Sequence, residues 1–590
     1  MKNKLLLALS FFLFQTVILT AQNQELLPRG LSKNEMLYLE ENTFSPPTFA
    51  GVTDPPPGLV RTMGEWEELD AVIITWATNS PGTTNILREI VRYAKEEVQV
   101  IIVCSNSAVV TNLLTPVGIN TDNIIFIEDD FDSIWVRDYG PNTVYLNDVE
   151  ERYFIDWIYN RPRPADDTIV PVAVADELGV PLYATTDFPN DLVHTGGNFM
   201  SDGMGTAFSS KLILDENGML NQFGTSNHSQ TDIENIMNAY MGIDRYVLME
   251  NLTYDPIDHI DMHMKLIDEE TLIVGEYPQG RADGPQIEAN IQFVLDNFKT
   301  PYGNDYEIIR IPMPPDNGNY PDDFPQGDYR TYANAIIVNK TVLVPTYEEQ
   351  YDTTGLRIWQ ESMPGYNIQG INCNAIIGLN GAIHCITKEV GTSEPLLINH
   401  SKVREGCVDQ DTFVEATIQH KSGVAAATLY YSTDTTAGYQ TLAMTSQGDT
   451  WSALIPATNE ETEMFYYIQA EANDGKQIVR PLTAPAGYWT YPVLDCIVDT
   501  EELASEMSLN KIYPNPASAI TVVPVTTSKS INADIEVTDI LGRKMETIFS
   551  GKIPVGENNY FIHANNYAAG TYLVTLKTEE QILVQKLIVK

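Results

Sequence analysis

Residues 69–104 read LDAVIITWATNSPGTTNILREIVRYAKEEVQVIIVC. Leu69 to Trp76 is a short apolar run and reads as a buried strand. From Thr83 to Glu97 the apolar residues fall at Ile86, Leu87, Ile90, Val91 and Ala94, the spacing of one helix face. Val98 to Cys104 is a strand again. The pattern continues outward. Ile124 to Ile127 reads as a strand ending in the acidic run Glu128 to Asp132, and Gln230 to Met241 as a helix followed by a strand at Tyr246 to Met249. Asp261 to Val274 reads as a hairpin, Gln286 to Phe298 as a helix and Glu307 to Ile311 as a strand. Tyr332 to Pro345 is a second hairpin, turning at Asn339-Lys340. Short strands alternating with single helices indicate an α/β fold. The units recur without a clean sequence repeat, so periodicity alone leaves both an open sheet and a propeller available.

Beyond residue 400 the helical periodicity stops. Short strands are expected at Thr412 to Gln419, Ala426 to Ser432, Trp451 to Ile455, Met464 to Ala470 and Gly487 to Val493, spaced as in an immunoglobulin-type β-sandwich. Asp499 to Asn510 reads as a polar linker. Residues 511–590 form a further all-β unit ending in a strand at Ile582 to Val589. Toward the N-terminus, residues 22–42 carry no clear pattern and read as a flexible leader or propeptide, with Pro46-Pro47 and Pro55-Pro56-Pro57 after it.

The 590 residues are too many for one core. Asp plus Glu number 80 against 35 Lys plus Arg, a net charge of −45, which argues against nucleic acid or anionic membranes as partners and favours cationic ligands. Residues 1–21 open with Lys2 and Lys4 and continue into an apolar run, the pattern of a secretory signal cleaved after Ala21. The rest of the sequence holds no apolar stretch long enough for a membrane span. Five cysteines, an odd number, leave at least one thiol unpaired: Cys104, Cys373, Cys385, Cys407 and Cys496. Cys407 and Cys496 bracket the sandwich. Chain ends at opposite poles would keep them apart, whereas a tail folding back along the first strand after Val493 would bring them together.

Four segments of the α/β region carry unusual polar residues. Asn380-Gly381-Ala382-Ile383-His384-Cys385-Ile386-Thr387 reads as a turn entering a strand, and its lone thiol is a candidate nucleophile or a buried structural cysteine. Trp135-Val136-Arg137-Asp138-Tyr139-Gly140-Pro141 reads as a loop after a strand. In His259-Ile260-Asp261-Met262-His263, read as extended, His259 and Asp261 share a face. Tyr332-Ala333-Asn334 is the fourth. His-x-Asp-x-His suits a metal ion. Equally, His259 suits a general acid/base for Cys385 while the carboxylates hold a cationic substrate. His384, next to Cys385 in a strand, would face away from the site.

Trp-x-Arg-Asp-x-Gly-Pro, His-x-Asp and Asn-Gly-x-Ile-His-Cys-Ile-Thr, in that order, closely resemble the guanidine-modifying hydrolases, which include agmatine deiminases and the Porphyromonas-type peptidylarginine deiminases. The resemblance covers about residues 60–395. It implies a five-bladed pseudo-symmetric α/β propeller (pentein). It further implies Cys385 as nucleophile on the guanidinium carbon, His259 as proton carrier, and Asp138 and Asp261 as a clamp on the guanidinium nitrogens. Trp135 would line the substrate stem and Asn334 would be the active-site asparagine, with neither metal nor cofactor. A guanidinium is planar and rich in donors, so carboxylates pair with it bidentately.

Arg161-Pro162-Arg163 resembles the Arg-Pro-Arg segment that the peptidylarginine enzymes associate with the carboxylate of a C-terminal arginine. Agmatine has no carboxylate to use it. The implied reaction is conversion of peptidyl-arginine to peptidyl-citrulline and ammonia through a cysteine thiouronium. An agmatine deiminase and a non-catalytic arginine-binding adhesin are the alternatives. Residues 511–590 resemble the type A sorting domain of the type IX secretion system, through Tyr513-Pro514-Asn515-Pro516 and Ala569-Gly570-Thr571-Tyr572-Leu573-Val574. The expected organisation is therefore signal peptide 1–21, leader 22–59, catalytic propeller 60–395, immunoglobulin-like sandwich 396–497, linker 498–510 and sorting domain 511–590. The expected product is secreted or held at the outer-membrane surface, with arginine-containing peptides and the secretion machinery as partners.

Overall fold

The computed structural model describes residues 26–42, 51–219, 221–496, 507–539, 542–578 and 581–590. The expected signal peptide, its cleavage point after Ala21, Pro46-Pro47 and residues 499–506 of the expected linker lie outside them. The chain divides into two compact units, residues 1–494 and 495–590.

Within the first unit, five small sheets follow one scheme. Each has an antiparallel strand pair, one member of which pairs in parallel with a third strand. In the first, Lys388–Gly391 pairs antiparallel with Leu69–Thr75, which pairs in parallel with Gln99–Cys104 across the helix Pro81–Ala94; Ile124–Glu128 is added in parallel. The others are built on the hairpins of Asn142–Leu146 with Arg152–Tyr159, Met200–Ser201 with Thr206–Ser210, Met264–Leu266 with Thr271–Glu276, and Ile336–Val338 with Thr341–Thr346. Their parallel partners are Leu182–Thr185, Arg245–Met249, Glu307–Pro312 and Asn367–Asn372. The middle strands, such as Leu69–Thr75 and Thr341–Thr346, are almost wholly buried, which explains their unbroken apolar runs. The first sheet is closed by a strand from the far end of the region, so 69–75 has no free edge on that side.

The strands and helices named in the sequence reading fall within a few residues of it, but others, such as Arg152–Tyr159, Thr206–Ser210 and the helix Glu349–Ser362, were not named. Local conformation differs from expectation where the chemistry is. Residues 384–386 form a 3₁₀ turn, not a strand. Ile260–Met262 is likewise a 3₁₀ turn. Val136–Tyr139, expected as loop, is one helical turn. In the segment expected to be a patternless leader, Lys33–Glu41 is a helix that begins with a capping box, Ser32 accepting from the Glu35 amide and Glu35 accepting from the Ser32 amide. The pattern Ser-x-x-Glu was legible there but was not read as a helix start.

Residues 396–494 form two sheets sharing one core that includes Val414, Ile418, Leu429, Tyr466 and Val493. Gly406–Cys407 pairs in parallel with Trp489–Leu494. Both Cys407 and Cys496 are disulfide-bonded, whereas Cys104, Cys373 and Cys385 are free. The second unit has antiparallel sheets of three and four strands with Ile582–Val589 at one edge. Met507–Leu509, expected in the linker, is a strand paired with Ile520–Thr527.

Candidate functional site

The first strand of each of the five antiparallel pairs is entered through a short irregular segment. Asp138 lies just before Asn142–Leu146, Gly197 before Met200–Ser201, Asp261 before Met264–Leu266, Asn334 before Ile336–Val338, and Cys385 before Lys388–Gly391. Five equivalent chain positions, far apart in sequence, thus meet at one place, four through side chains and Gly197 through its amide. Asp138, His259, Asp261, Asn334 and Cys385 are all essentially inaccessible to solvent.

The side chain they surround belongs to the N-terminal segment 26–42. Arg29 is fully buried. Its Nε and Nη2 donate to the two oxygens of Asp138 at 2.9 and 2.8 Å. Its Nη1 and Nη2 donate to the two oxygens of Asp261, each at 3.0 Å. Nη1 also lies 2.6 Å from Cys385 Sγ. The two aspartates therefore form two forks on one guanidinium, the geometry in which this contact is strongest. Arg29 was missed from the sequence because nothing in residues 22–42 sets it apart; its role depends on contacts across 109 to 356 residues.

The main chain on both sides of Arg29 is held as well. Trp135 Nε1 donates to the Leu27 carbonyl at 2.9 Å, and the Arg29 amide donates to the Leu379 carbonyl at 2.9 Å. Arg161 Nε donates to the Arg29 carbonyl at 3.1 Å. Arg163 Nη2 donates to the carbonyls of Pro28 and Gly30 at 2.7 and 3.0 Å, and its Nε donates to Glu35 at 2.8 Å. Trp135, Arg161 and Arg163 thus all touch the segment around Arg29.

Two glycines make room. A Cβ on Gly197 would fall 1.6 Å from Arg29 Nη2 and 2.7 Å from His259 Nδ1, and the Gly197 amide donates to Asp138 Oδ1 at 3.0 Å. A Cβ on Gly381 would fall 2.4 Å from the Trp135 ring and 3.1 Å from Cys385 Sγ. Gly381 was part of the recognised motif, but Gly196-Gly197 was not. Its only signal is a glycine pair between two strands. We expect Gly197→Ala to keep the fold but displace the bound guanidinium, lowering kcat/KM on an arginyl peptide by about a hundredfold or more. Steady-state kinetics beside a thermal melt checks this.

A second set of polar groups fixes the first. His384 Nδ1 lies 2.8 Å from Asp261 Oδ2 and its Nε2 lies 2.9 Å from Glu65 Oε2. The expectation that His384 faces away fails because a 3₁₀ turn, unlike a strand, does not alternate sides. Glu65 also pairs with Lys265, and Arg137 with Glu389. Asn334 Nδ2 donates to the Asp261 carbonyl at 3.1 Å, while its Oδ1 accepts from the His384 amide at 3.1 Å and lies 3.2 Å from Cys385 Sγ. His259, Asp261 and His263 do not gather as a metal-ligand set, and among the described residues no three His, Cys, Asp or Glu side chains do.

Burial opposes charge on every group here, and Arg29 decides which ones keep it. Burial pushes the Asp138 carboxyl up, but the guanidinium outweighs it and brings it down to about 2. Asp261, with Arg29 and His384 against it, is held well below the usual carboxylate range despite its burial. His259 is driven down to about 3, first by burial and then by Arg29, so it is neutral. Among the described residues neither of its ring nitrogens has a hydrogen-bond partner, and Nδ1 lies 3.6 Å from Asp138 Oδ1. Burial pushes the Cys385 thiol well up, with both aspartates adding to the effect; the guanidinium works downward. The site therefore offers an unpaired neutral base and a thiol whose nearest source of positive charge is the bound guanidinium.

Residues 61–390 match the model of the family described as Porphyromonas-type peptidyl-arginine deiminase. The chain belongs to that family. It is a deiminase of the guanidine-modifying class, a C–N hydrolase acting on amidines. Residues 511–590 match a secretion system C-terminal sorting domain, which marks a protein secreted or attached at the surface through type IX secretion. Among curated proteins the chain is similar to one from Vibrio parahaemolyticus named "Putative agmatine deiminase", 28% identical over 295 residues, spanning 45% of this chain and 78% of that protein. It is 26% identical to the agmatine deiminase of Ectopseudomonas mendocina over 298 residues, 46% of this chain and 78% of that protein. An X-ray structure described as "putative agmatine deiminase" superposes with a TM-score of 0.50 at 20% identity, covering 59% of this chain and all of that one, a likeness of fold.

Proposed function

We propose that this deiminase acts on arginine within peptides, converting it to citrulline. One observation carries the reading: the arginine in the pocket is part of a polypeptide, and Trp135, Arg161, Arg163 and the Leu379 carbonyl all engage its main chain. Agmatine has no carbonyl for Arg161 or Arg163 to meet, so most of these contacts would go unused.

In the proposed mechanism the two aspartates hold the guanidinium against Cys385. The thiol proton passes to neutral His259, and the thiolate adds to the guanidinium carbon. His259 returns that proton to a departing nitrogen, the C–N bond breaks and ammonia leaves a cysteine thiouronium. A water then adds, giving its proton to His259; the C–S bond breaks and the thiol is restored on a ureido product. Asn334 positions the thiol and the Asp261 turn. The guanidinium works against the burial that keeps the thiol protonated, and transfer of the proton to His259 completes the ionisation as the sulfur adds. In the same reading the five sheets are the blades of the propeller and residues 396–494 an immunoglobulin-like sandwich.

The test is citrulline release from agmatine, free arginine and peptides with internal or C-terminal arginine, using Arg29→Ala so that the pocket is open. Agmatine as the preferred substrate would move the chain to the agmatine enzymes. Arg161 meets the carbonyl that, in a C-terminal arginine, becomes a carboxylate. Arg161→Ala and Arg163→Ala are each expected to cost about ten- to a hundredfold in kcat/KM on C-terminal arginine and clearly less on the C-terminal amide. Equal losses on both would mean that these arginines only support the pocket wall.

A further inference from the structure

We propose that Arg29 is itself a substrate: the chain deiminates its own leader, in cis, at the active site that Arg29 fills. The inference rests on the peptidyl-arginine reading above and goes beyond it by naming the residue modified. Three features of the leader support it. The Arg29 guanidinium is engaged as a reacting group would be, forked onto both Asp138 and Asp261 with Nη1 at 2.6 Å from the Cys385 sulfur. Its peptide runs through the pocket with bonds to the carbonyls of Leu27, Pro28, Arg29 and Gly30, so the backbone is positioned as well as the side chain. The helix that follows is anchored to the same wall, because Glu35 closes its capping box on Ser32 and also receives Arg163. A leader that merely covered the opening would need none of the guanidinium contacts.

The step balances as for any peptidyl-arginine. Cys385 forms a C–S bond to the Arg29 guanidinium carbon and one nitrogen leaves as ammonia. Water then supplies the oxygen that displaces sulfur, and residue 29 becomes citrulline. Water is the only co-reactant. The conversion also changes what holds the leader. A ureido group is neutral, so Asp138 and Asp261 lose the cation that balances two buried carboxylates, and the leader's tightest contact is lost. Each chain would thereby free its own pocket after one turnover, and external peptides would follow.

Peptide mass mapping of the full chain tests this. Wild type is expected to carry citrulline at position 29, seen as replacement of an imino nitrogen by oxygen, and Cys385→Ala to carry arginine there. Limited proteolysis is expected to cut residues 26–42 much faster in wild type than in Cys385→Ala. Co-expressing Cys385→Ala with the active Arg29→Ala chain separates cis from trans: Arg29 of the inactive chain is expected to stay arginine. Its conversion by the partner chain would overturn the cis assignment. Arginine at position 29 of wild type, while Arg29→Ala turns over an external arginyl peptide, would overturn the inference alone. No turnover by Arg29→Ala on any arginyl peptide would remove the peptidyl-arginine reading and this inference together.

Discussion

Cys385→Ala, placed in the Arg29→Ala chain so that the pocket is open, is expected to fold normally and to lose citrulline formation by about 10⁵-fold or more. The sulfur lies 2.6 Å from the guanidinium Nη1 and is the strongest nucleophile among the described groups around it; the aspartates accept hydrogen bonds from the cation rather than attack it. Folding should survive, because the change removes one atom and leaves a small void. That void costs on the order of 1 kcal/mol, and the loss of a desolvated thiol partly offsets it. A thermal midpoint within a few degrees of the parent is the control. Measurable turnover by a correctly folded Cys385→Ala protein would require a different nucleophile and would undo the mechanism.

The comparison of sequence with structure divides by the range of the interactions. Helices such as Gln230–Met241 and strands such as Thr412–Gln419 and Ile582–Val589 were read to the residue, because periodicity and turn residues are local signals. Cys385, Asp138, His259 and Asp261 were legible through motifs. Their local conformation was not. The stretch at 384–386 was read as a strand because Ile383 to Ile386 is largely apolar, yet its apolar residues are buried by a 3₁₀ turn that aims His384 at Asp261. Glu65 meets His384 across 319 residues, and no local pattern announces such a pair. Gly197 was invisible for a different reason. Its missing side chain matters only once a guanidinium stands beside it. Residues 26–42 failed by composition: a polar segment with one helical start signal read as unstructured, since the contacts that hold Arg29 come from residues more than a hundred positions away.

The aspartate pair should show the next largest effect. Asp138→Asn and Asp261→Asn preserve shape and remove one charge each from a site where the cation has no access to water. Each is expected to cost about 3–5 kcal/mol of transition-state stabilisation, which at 1.36 kcal/mol per tenfold is about 10²- to 10³·⁵-fold in kcat/KM. An amide also turns one acceptor into a donor, which then faces the donors of the guanidinium. The two should differ in kind. Among the described residues Asp138 accepts, besides the guanidinium, the Gly197 amide at 3.0 Å and no side chain that holds the Cys385 turn, so its loss falls mainly on binding the cation. Asp261 also meets His384 Nδ1 at 2.8 Å, and His384 is tied to Glu65 beyond it. Asp261→Asn therefore breaks the support of the turn that carries Cys385 as well as the clamp. It should lower kcat more than Asp138→Asn does, whereas Asp138→Asn should weigh more on KM. The measurement is kcat and KM for both variants on one arginyl peptide, again with Arg29→Ala to keep the pocket open. A change of less than a few-fold in kcat/KM for either aspartate would mean that substrate guanidinium does not sit where Arg29 does.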